Sequence, residues 1–319
     1  MPKRVPLLCC IICTLATTGC ATWDSLWQQT YRNPIITQHD LADPDVLKVG
    51  ETYYLYGTTH GRGYDVFVSD DLVHWENKGL AFDDPRGGAW APDLFHDARG
   101  DGKYYLYYTD SVSAGSNAWQ KQIGVAVAGS PLGPFIDAGV LAVGCIDAHL
   151  FQDDDGKYYL YYVANENGFK IFARAMATPL QPHGEPVAII QPTDAWEVAG
   201  DHVTEAPFML KRDDTYYLMY SGSGADSYYY AIGYATASSP LGPFVKYPGN
   251  PIVRAGANVI GPGHPSVVEG PDEQLWMLYH QKRTPDLSWP RFLALDPLWF
   301  DEKGAIHATV SHGTEQAAP

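Results

Sequence analysis

The chain has 319 residues, with 21 Lys and Arg against 37 Asp and Glu, so its formal net charge is −16. That balance argues against nucleic acid or an anionic membrane surface as a partner, because binding to either relies on basic residues that displace counterions. The length suits one large β domain or two modest ones, and 13% of the residues are aromatic, including 22 Tyr.

The first element is a leader. Lys3 and Arg4 precede the apolar run "VPLLCCIICTLATT", too short to read as a transmembrane helix, and the run ends in "TTGC". A small residue followed by Cys20 is similar to a bacterial lipobox, although Thr17 stands where leucine is usual; a plain signal peptide is the competing reading. With Cys20 acylated, the protein would be exported and tethered by lipid, facing periplasm or cell surface, and would span nothing. Cys9, Cys10 and Cys13 also belong to the leader. Only Cys145 remains in the body, which rules out a disulfide framework there.

The body repeats itself. "GETYYLYGTT", "GKYYLYYTD", "GKYYLYYVA", "DTYYLMYSG" and "EQLWMLYHQ" share one pattern, a turn followed by an aromatic strand, starting at Tyr53, Tyr104, Tyr158, Tyr216 and Leu275. Further strands follow in "YDVFVSDDLVHWENKG", "KQIGVAVAGSPLGPFIDAG" and "YYAIGYATASSPLGPFVKY", and "SPLGPF" recurs at 130–135 and 239–244. No stretch of the body combines a helical period with helix caps. Repeats of about 50 residues holding several short strands predict an all-β, five-bladed β-propeller; a β-sandwich with repetitive tyrosine strands is the alternative. The expected organisation is a leader at 1–20, a tether at 21–32, the propeller at 33–305 and a loose C-terminal tail at 306–319.

Ten or eleven residues before each aromatic strand stands a polar residue, usually beside proline: Asp43, Asp93, Asp147, Glu205 and His264. The innermost strand of a propeller blade lines the central channel, so residues at one phase in every blade would form a ring around the axis. Asp45, two residues after Asp43, reads as a turn residue or a supporting acid. Convergent carboxylates suit glycoside hydrolysis. One carboxylic acid protonates the leaving oxygen, one carboxylate activates water or attacks the sugar, and a third acid can raise the donor's pKa. The ring could instead hold a cation through oxygen ligands.

In this order and spacing, "ADPDV", "SDDLVHW", "WAPDLF", "IDAHLF", "TEAPFM", "GPGHPSV" and "RFLALDPLWF" resemble glycoside hydrolase family 43 over nearly the whole body. The resemblance implies a five-bladed propeller that acts with inversion on arabinose- and xylose-containing glycans. It places the general base at Asp43, the general acid at Glu205 and the aspartate that tunes the acid at Asp147. It also implies substrate contacts at Trp90, a stacking platform, and at Asp93, His264 and Arg291. His264 is in addition the one candidate ligand for an ion. Two motifs depart from the family pattern: "IDAH" stands for "IDP", which leaves His149 without a role, and "EAP" stands for "EGP". His60, His74, His96 and His280 show no ligand spacing, and no His/Cys cluster has the spacing of a zinc site. No cofactor is expected to be required, with calcium or a hydrated ion in the channel as the one candidate. The substrate implied is a neutral oligosaccharide or polysaccharide, cleaved by an exo-acting α-L-arabinofuranosidase or β-xylosidase. Alternatives are an endo-arabinanase, an exo-galactanase, a galactofuranosidase, or a non-catalytic glycan-binding lipoprotein.

Overall fold

The computed structural model describes residues 29–319 except 38, 39, 85, 117–119 and 286–288. The leader and Cys20 therefore lie outside the described residues. Among the described residues there is no helix. Five antiparallel sheets of consecutive strands follow one another along the chain. The first blade comprises Ala42–Val49, Thr52–Thr58, Gly63–Ser69 and Glu76–Asp83, and the second Trp90–His96, Tyr104–Ser111, Lys121–Ala128 and Ile136–Val143. The third is built on Cys145–Gln152, Tyr158–Asn165 and Phe169–Thr178, with two short strands pairing along the last of these. The fourth runs from Thr204 to Lys246 and the fifth from Gly263 to Ala308. Adjacent first strands contact one another in a closed cycle, from the first blade through to the fifth and back. This is the five-bladed propeller that the repeats predict.

Each aromatic repeat is the second strand of its blade, and its composition has a packing reason. Tyr56, Tyr107 and Tyr161 hold the same place in the first three blades and are completely buried. Each sends its hydroxyl into the next blade, to the carbonyl of Pro131, Pro179 or Pro240, at 2.5–2.7 Å. A tyrosine there buries a large apolar ring between blades, worth roughly 1.5–3 kcal/mol for a side chain of this kind. Its polar tip also stays satisfied. The two "SPLGPF" segments occupy equivalent places, between the third and fourth strands of the second and fourth blades.

The ring closes between the fifth blade and the first, where Leu41, Leu55, Phe67, Leu278, Leu293 and Leu295 share one core cluster. The chain ends brace this seam. Thr30–Arg32 pairs with Glu315–Ala317. Buried Asn33 donates to the Leu295 carbonyl, to Asp296 and to Ser311, and accepts from the Leu295 amide. Residues 306–319 are thus not the loose tail expected from their composition. Ile306–Ala308 completes the fifth blade, and the segment after it is held by hydrogen bonds each worth about 1 kcal/mol net. The expected tether likewise ends in a strand, at Thr30–Arg32.

Candidate active site

Every inner strand is broken at the same place by a bulge, two residues opposing one. In the first blade Asp43 and Pro44 bulge between the pairs Ala42–Thr58 and Asp45–Tyr56. The others bulge at Ala91–Pro92, Asp147–Ala148, Ala206–Pro207 and His264–Pro265. The leading residue of each has a positive φ, between 41° and 57°. Non-glycine residues adopt that conformation at a cost, so its fivefold recurrence marks a demanded geometry. Proline fits the second position in four blades because a bulged residue has no ladder partner for an amide hydrogen.

The leading amide of each bulge is satisfied by the preceding blade. Ala91 N donates to Thr58 Oγ1 at 2.8 Å, Asp147 N to Thr109 Oγ1 at 3.0 Å, and His264 N to Ser221 Oγ at 2.8 Å. Asp43 N donates to His280 Nδ1 at 3.2 Å. The third blade offers Val163 where the others offer a polar side chain, and there the Asp147 carboxylate itself accepts the Ala206 amide at 3.1 Å. Five bulges are therefore aimed at the axis by a cycle of inter-blade hydrogen bonds.

This geometry revises the ring read from the sequence. The leading bulge positions are Asp43, Ala91, Asp147, Ala206 and His264. Glu205 stands one residue before its bulge, in register with Trp90 and Ile146, whereas Asp93 stands one residue after its bulge, in register with Asp45 and His149. Counting back from the aromatic strand failed because hairpin turns differ in length: His96 pairs with Tyr104, but Lys211 pairs with Tyr216.

A cavity of about 730 Å³ opens over the bulges, and Asp43, Trp90, Asp147, Glu205, His264 and Arg291 all line it. Asp93 does not. It lies in the layer beneath, where its carboxylate takes His149 Nδ1 at 2.6 Å and the Leu150 amide at 3.0 Å. Asp45 occupies the same layer, accepting from the Leu94 amide and from Ser266 Oγ. These acids tie neighbouring blades together rather than face a ligand, and His149 gains its role as the partner of Asp93.

Within the cavity, Asp43 Oδ1 accepts Arg291 Nη1 at 2.7 Å and lies 3.3 Å from His264 Nδ1, while Oδ2 accepts the Thr58 hydroxyl at 2.6 Å. Burial alone would raise this carboxyl, but the Arg291 and His264 charges outweigh it and hold Asp43 well below the usual carboxylate range. Among the described residues Glu205 forms no ion pair. Burial, then the neighbouring Asp147 charge, push it up to about 8. Burial also raises Asp147, with Asp43 adding to the effect and His264 opposing it. Two carboxyls of opposite protonation thus face one cavity, the pattern that separates a base from an acid.

Sequence reasoning missed several residues of the site. His280 is completely buried, and burial followed by the Arg291 charge lowers it to about 3. It is therefore neutral, and its Nδ1 accepts the Asp43 amide. Its position at the end of the aromatic strand matches Thr58, Thr109 and Ser221, a signal visible in the aligned repeats. Trp289 stacks on the Arg291 guanidinium at 4.3 Å, and Lys121 places its ammonium 3.5 Å from the Trp90 ring centroid. The remaining walls come from loops, including Asn165, Phe169, Asp201, His202 and Asp226.

The lower layer encloses a space of about 20 Å³, room for about one water. Among the described residues no group of three or more His, Cys, Asp or Glu side chains is arranged to hold a metal ion. His264 directs Nδ1 at Asp43. This donor set does not fit a calcium cage built from protein oxygens.

Residues 31–306 match the family described as Glycosyl hydrolases family 43. The chain belongs to glycoside hydrolase family 43. It is a glycosidase, hydrolysing O-glycosyl bonds as that family does. A solved thermostable family-43 glycoside hydrolase is 36% identical, with a TM-score of 0.82, over 91% of this chain and 99% of that one. A β-D-galactofuranosidase of Aspergillus niger is 29% identical over 83% of this chain and 81% of its own length. A non-reducing end α-L-arabinofuranosidase of Bacteroides ovatus is 30% identical over 76% of this chain but only 44% of its own length. Several other relatives are also about twice as long as the part matched, among them a β-xylosidase of Bacillus subtilis and a xylan 1,3-β-xylosidase of a Vibrio species. Two more, from Cellvibrio japonicus and Streptomyces avermitilis, are named extracellular exo-α-(1→5)-L-arabinofuranosidases.

Proposed function

We propose that this family 43 member is an exo-acting, inverting glycosidase that releases arabinose or xylose from plant-type glycans. Asp43 is its general base, Glu205 its general acid and Asp147 the group that keeps Glu205 protonated. The observation that carries this reading is that Asp43, paired with Arg291 and His264, and Glu205, buried beside Asp147, line one cavity. In the step proposed, the Glu205 proton passes to the glycosidic oxygen as the bond from that oxygen to the anomeric carbon breaks. A water molecule attacks the same carbon from the other face and gives its proton to Asp43. Asp147 raises Glu205 through its charge, and its carboxylate is held in place by the Ala206 amide, next to the acid in the chain.

Arg291 and His264 orient Asp43 and offer donors to sugar hydroxyls, and the rings of Trp90 and Trp289 suit the apolar face of a sugar. A galactofuranosidase is the second reading, favoured by similarity to the Aspergillus enzyme over most of both chains. Aryl α-L-arabinofuranoside, β-D-xylopyranoside and β-D-galactofuranoside, assayed side by side, separate the two. The first or second is expected to turn over fastest; a clear preference for the third selects the other reading, and no turnover of any removes both.

The leader supports export, and the "TTGC" end supports a lipid anchor at Cys20. Cys20→Ser is then expected to move the protein from the membrane fraction to the soluble exported fraction. Identical fractionation of the variant and the parent would contradict the anchor.

A further inference from the structure

Tyr230 precedes the third strand of the fourth blade and is completely buried. Its ring stacks on His280, with centroids 5.6 Å apart and planes 9° from parallel. The fold reserves room for it: a Cβ on Gly263 would lie 1.8 Å from Tyr230 Cε1, so no other residue fits at 263. Yet the Tyr230 hydroxyl makes no well-formed hydrogen bond among the described residues, although Ser221 and Glu205 lie within its reach. Buried hydroxyls are seldom left so, and an exception calls for an explanation.

The groups around the hydroxyl supply one. It lies beside the Ser221 side chain and the Glu205 carboxyl, whose residues are cross-strand partners. Ser221 Oγ already accepts the His264 amide, so its own hydrogen is free to turn toward the Tyr230 oxygen. The Tyr230 hydrogen is then left for Glu205. Burial raises the phenol well above its usual pKa, so it remains a donor at every working pH.

We propose that Tyr230 is a positioning residue for the general acid, its O–H aimed at the carboxylate that Glu205 becomes on giving up its proton. This rests on the reading of Glu205 as the acid. No atom of Tyr230 is transferred. A donor waiting for charge that appears only during proton transfer favours the transition state over the resting enzyme. Through its ring Tyr230 also backs His280, which holds the amide of Asp43, so one side chain touches the supports of both proposed catalytic groups. The charged and titratable groups sharing the cavity with Glu205 are Asp147, Asp43, His264, Arg291 and Lys121 from other blades, and Asp201, His202 and Asp226 from the loops flanking its own. None of these is altered by removing one phenolic oxygen.

Tyr230→Phe tests the proposal. On an aryl glycoside with a poor leaving group, kcat is expected to fall about tenfold, the size of a hydrogen bond to a charged group. On a dinitrophenyl glycoside it should change little, with KM nearly constant on both. The alkaline limb of kcat/KM should move to higher pH, because the carboxylate has lost a donor. In a Glu205→Ala background the same change should cost nothing more. Equal losses on good and poor leaving groups, or a changed melting temperature with an unmoved alkaline limb, would overturn the proposal while leaving Glu205 as the acid. If Glu205→Ala alone showed no dependence on the leaving group, both readings would fall together.

Discussion

Asp43→Asn is expected to lower kcat/KM by about 10³-fold or more on every substrate, whatever its leaving group, while the protein still folds. A general base contributes about 10²–10⁴-fold, and attacking water needs it regardless of how readily the aglycone departs. Asparagine is the informative replacement. Asp43 is buried against Arg291, His264 and Thr58, and an alanine would leave the Arg291 charge without its partner, at a cost of about 3–5 kcal/mol in stability. Asparagine keeps an oxygen for the Thr58 hydroxyl or for Arg291 and cannot take the proton from water. Thermal melting recorded beside the kinetics separates the two effects. Activity within a few-fold of the parent, in a folded variant, would move the base elsewhere.

Glu205→Ala is expected to behave differently. On substrates with poor leaving groups the loss should again approach 10³-fold. On dinitrophenyl glycosides, which depart without a proton, most activity should remain. The pH profile gives a second readout. Glu205 must be protonated to act, and burial with Asp147 raises its pKa to about 8. The parent should therefore keep its activity below that pH and lose it as pH rises through it. Asp43 must be ionised, and its depressed pKa places the acid limb well below the usual carboxylate range. In Glu205→Ala the alkaline limb should vanish and the acid limb should stay. An alkaline limb unchanged in the variant would assign it to another group.

How much of this could be read from the residues depends on what each layer of the fold asks of them. The second strand of every blade must bury large side chains against the next blade with satisfied polar tips, and only a few residue types do that, so the tyrosine repeats were legible. The bulges are set by backbone geometry instead. Their leading residues are Asp, Ala, Asp, Ala and His, with no shared side chain, and only the following proline hints at them. Hairpin turns of unequal length then shift the count, which is why Asp93 seemed to stand with Asp43 although it belongs with Asp45. Glu205 lies outside the bulge phase and stands out in the sequence only through the resemblance carried by the motif around it. His280 carries no ligand spacing in the sequence. Its partner is the Asp43 backbone amide in the adjacent blade, 237 residues away along the chain, a relation that no local pattern displays. Lys121, Trp289 and the loop walls reach the cavity from separate blades, and their convergence exists only once the ring is closed. The chain ends looked loose because they are short and polar, but Asn33 and Ser311 gain their order from the Asp296 carboxylate buried between them.

The stereochemistry of the product tests the central claim most directly. With wild-type protein and its best aryl glycoside, proton NMR in the first minutes of turnover should show the sugar released with the anomeric configuration opposite to that of the substrate, before mutarotation mixes the two forms. That outcome requires a water molecule poised by Asp43 on the face away from Glu205. Initial release with the substrate's own configuration would mean that a carboxylate attacks the sugar directly, and would contradict the assignment of Asp43 as a base.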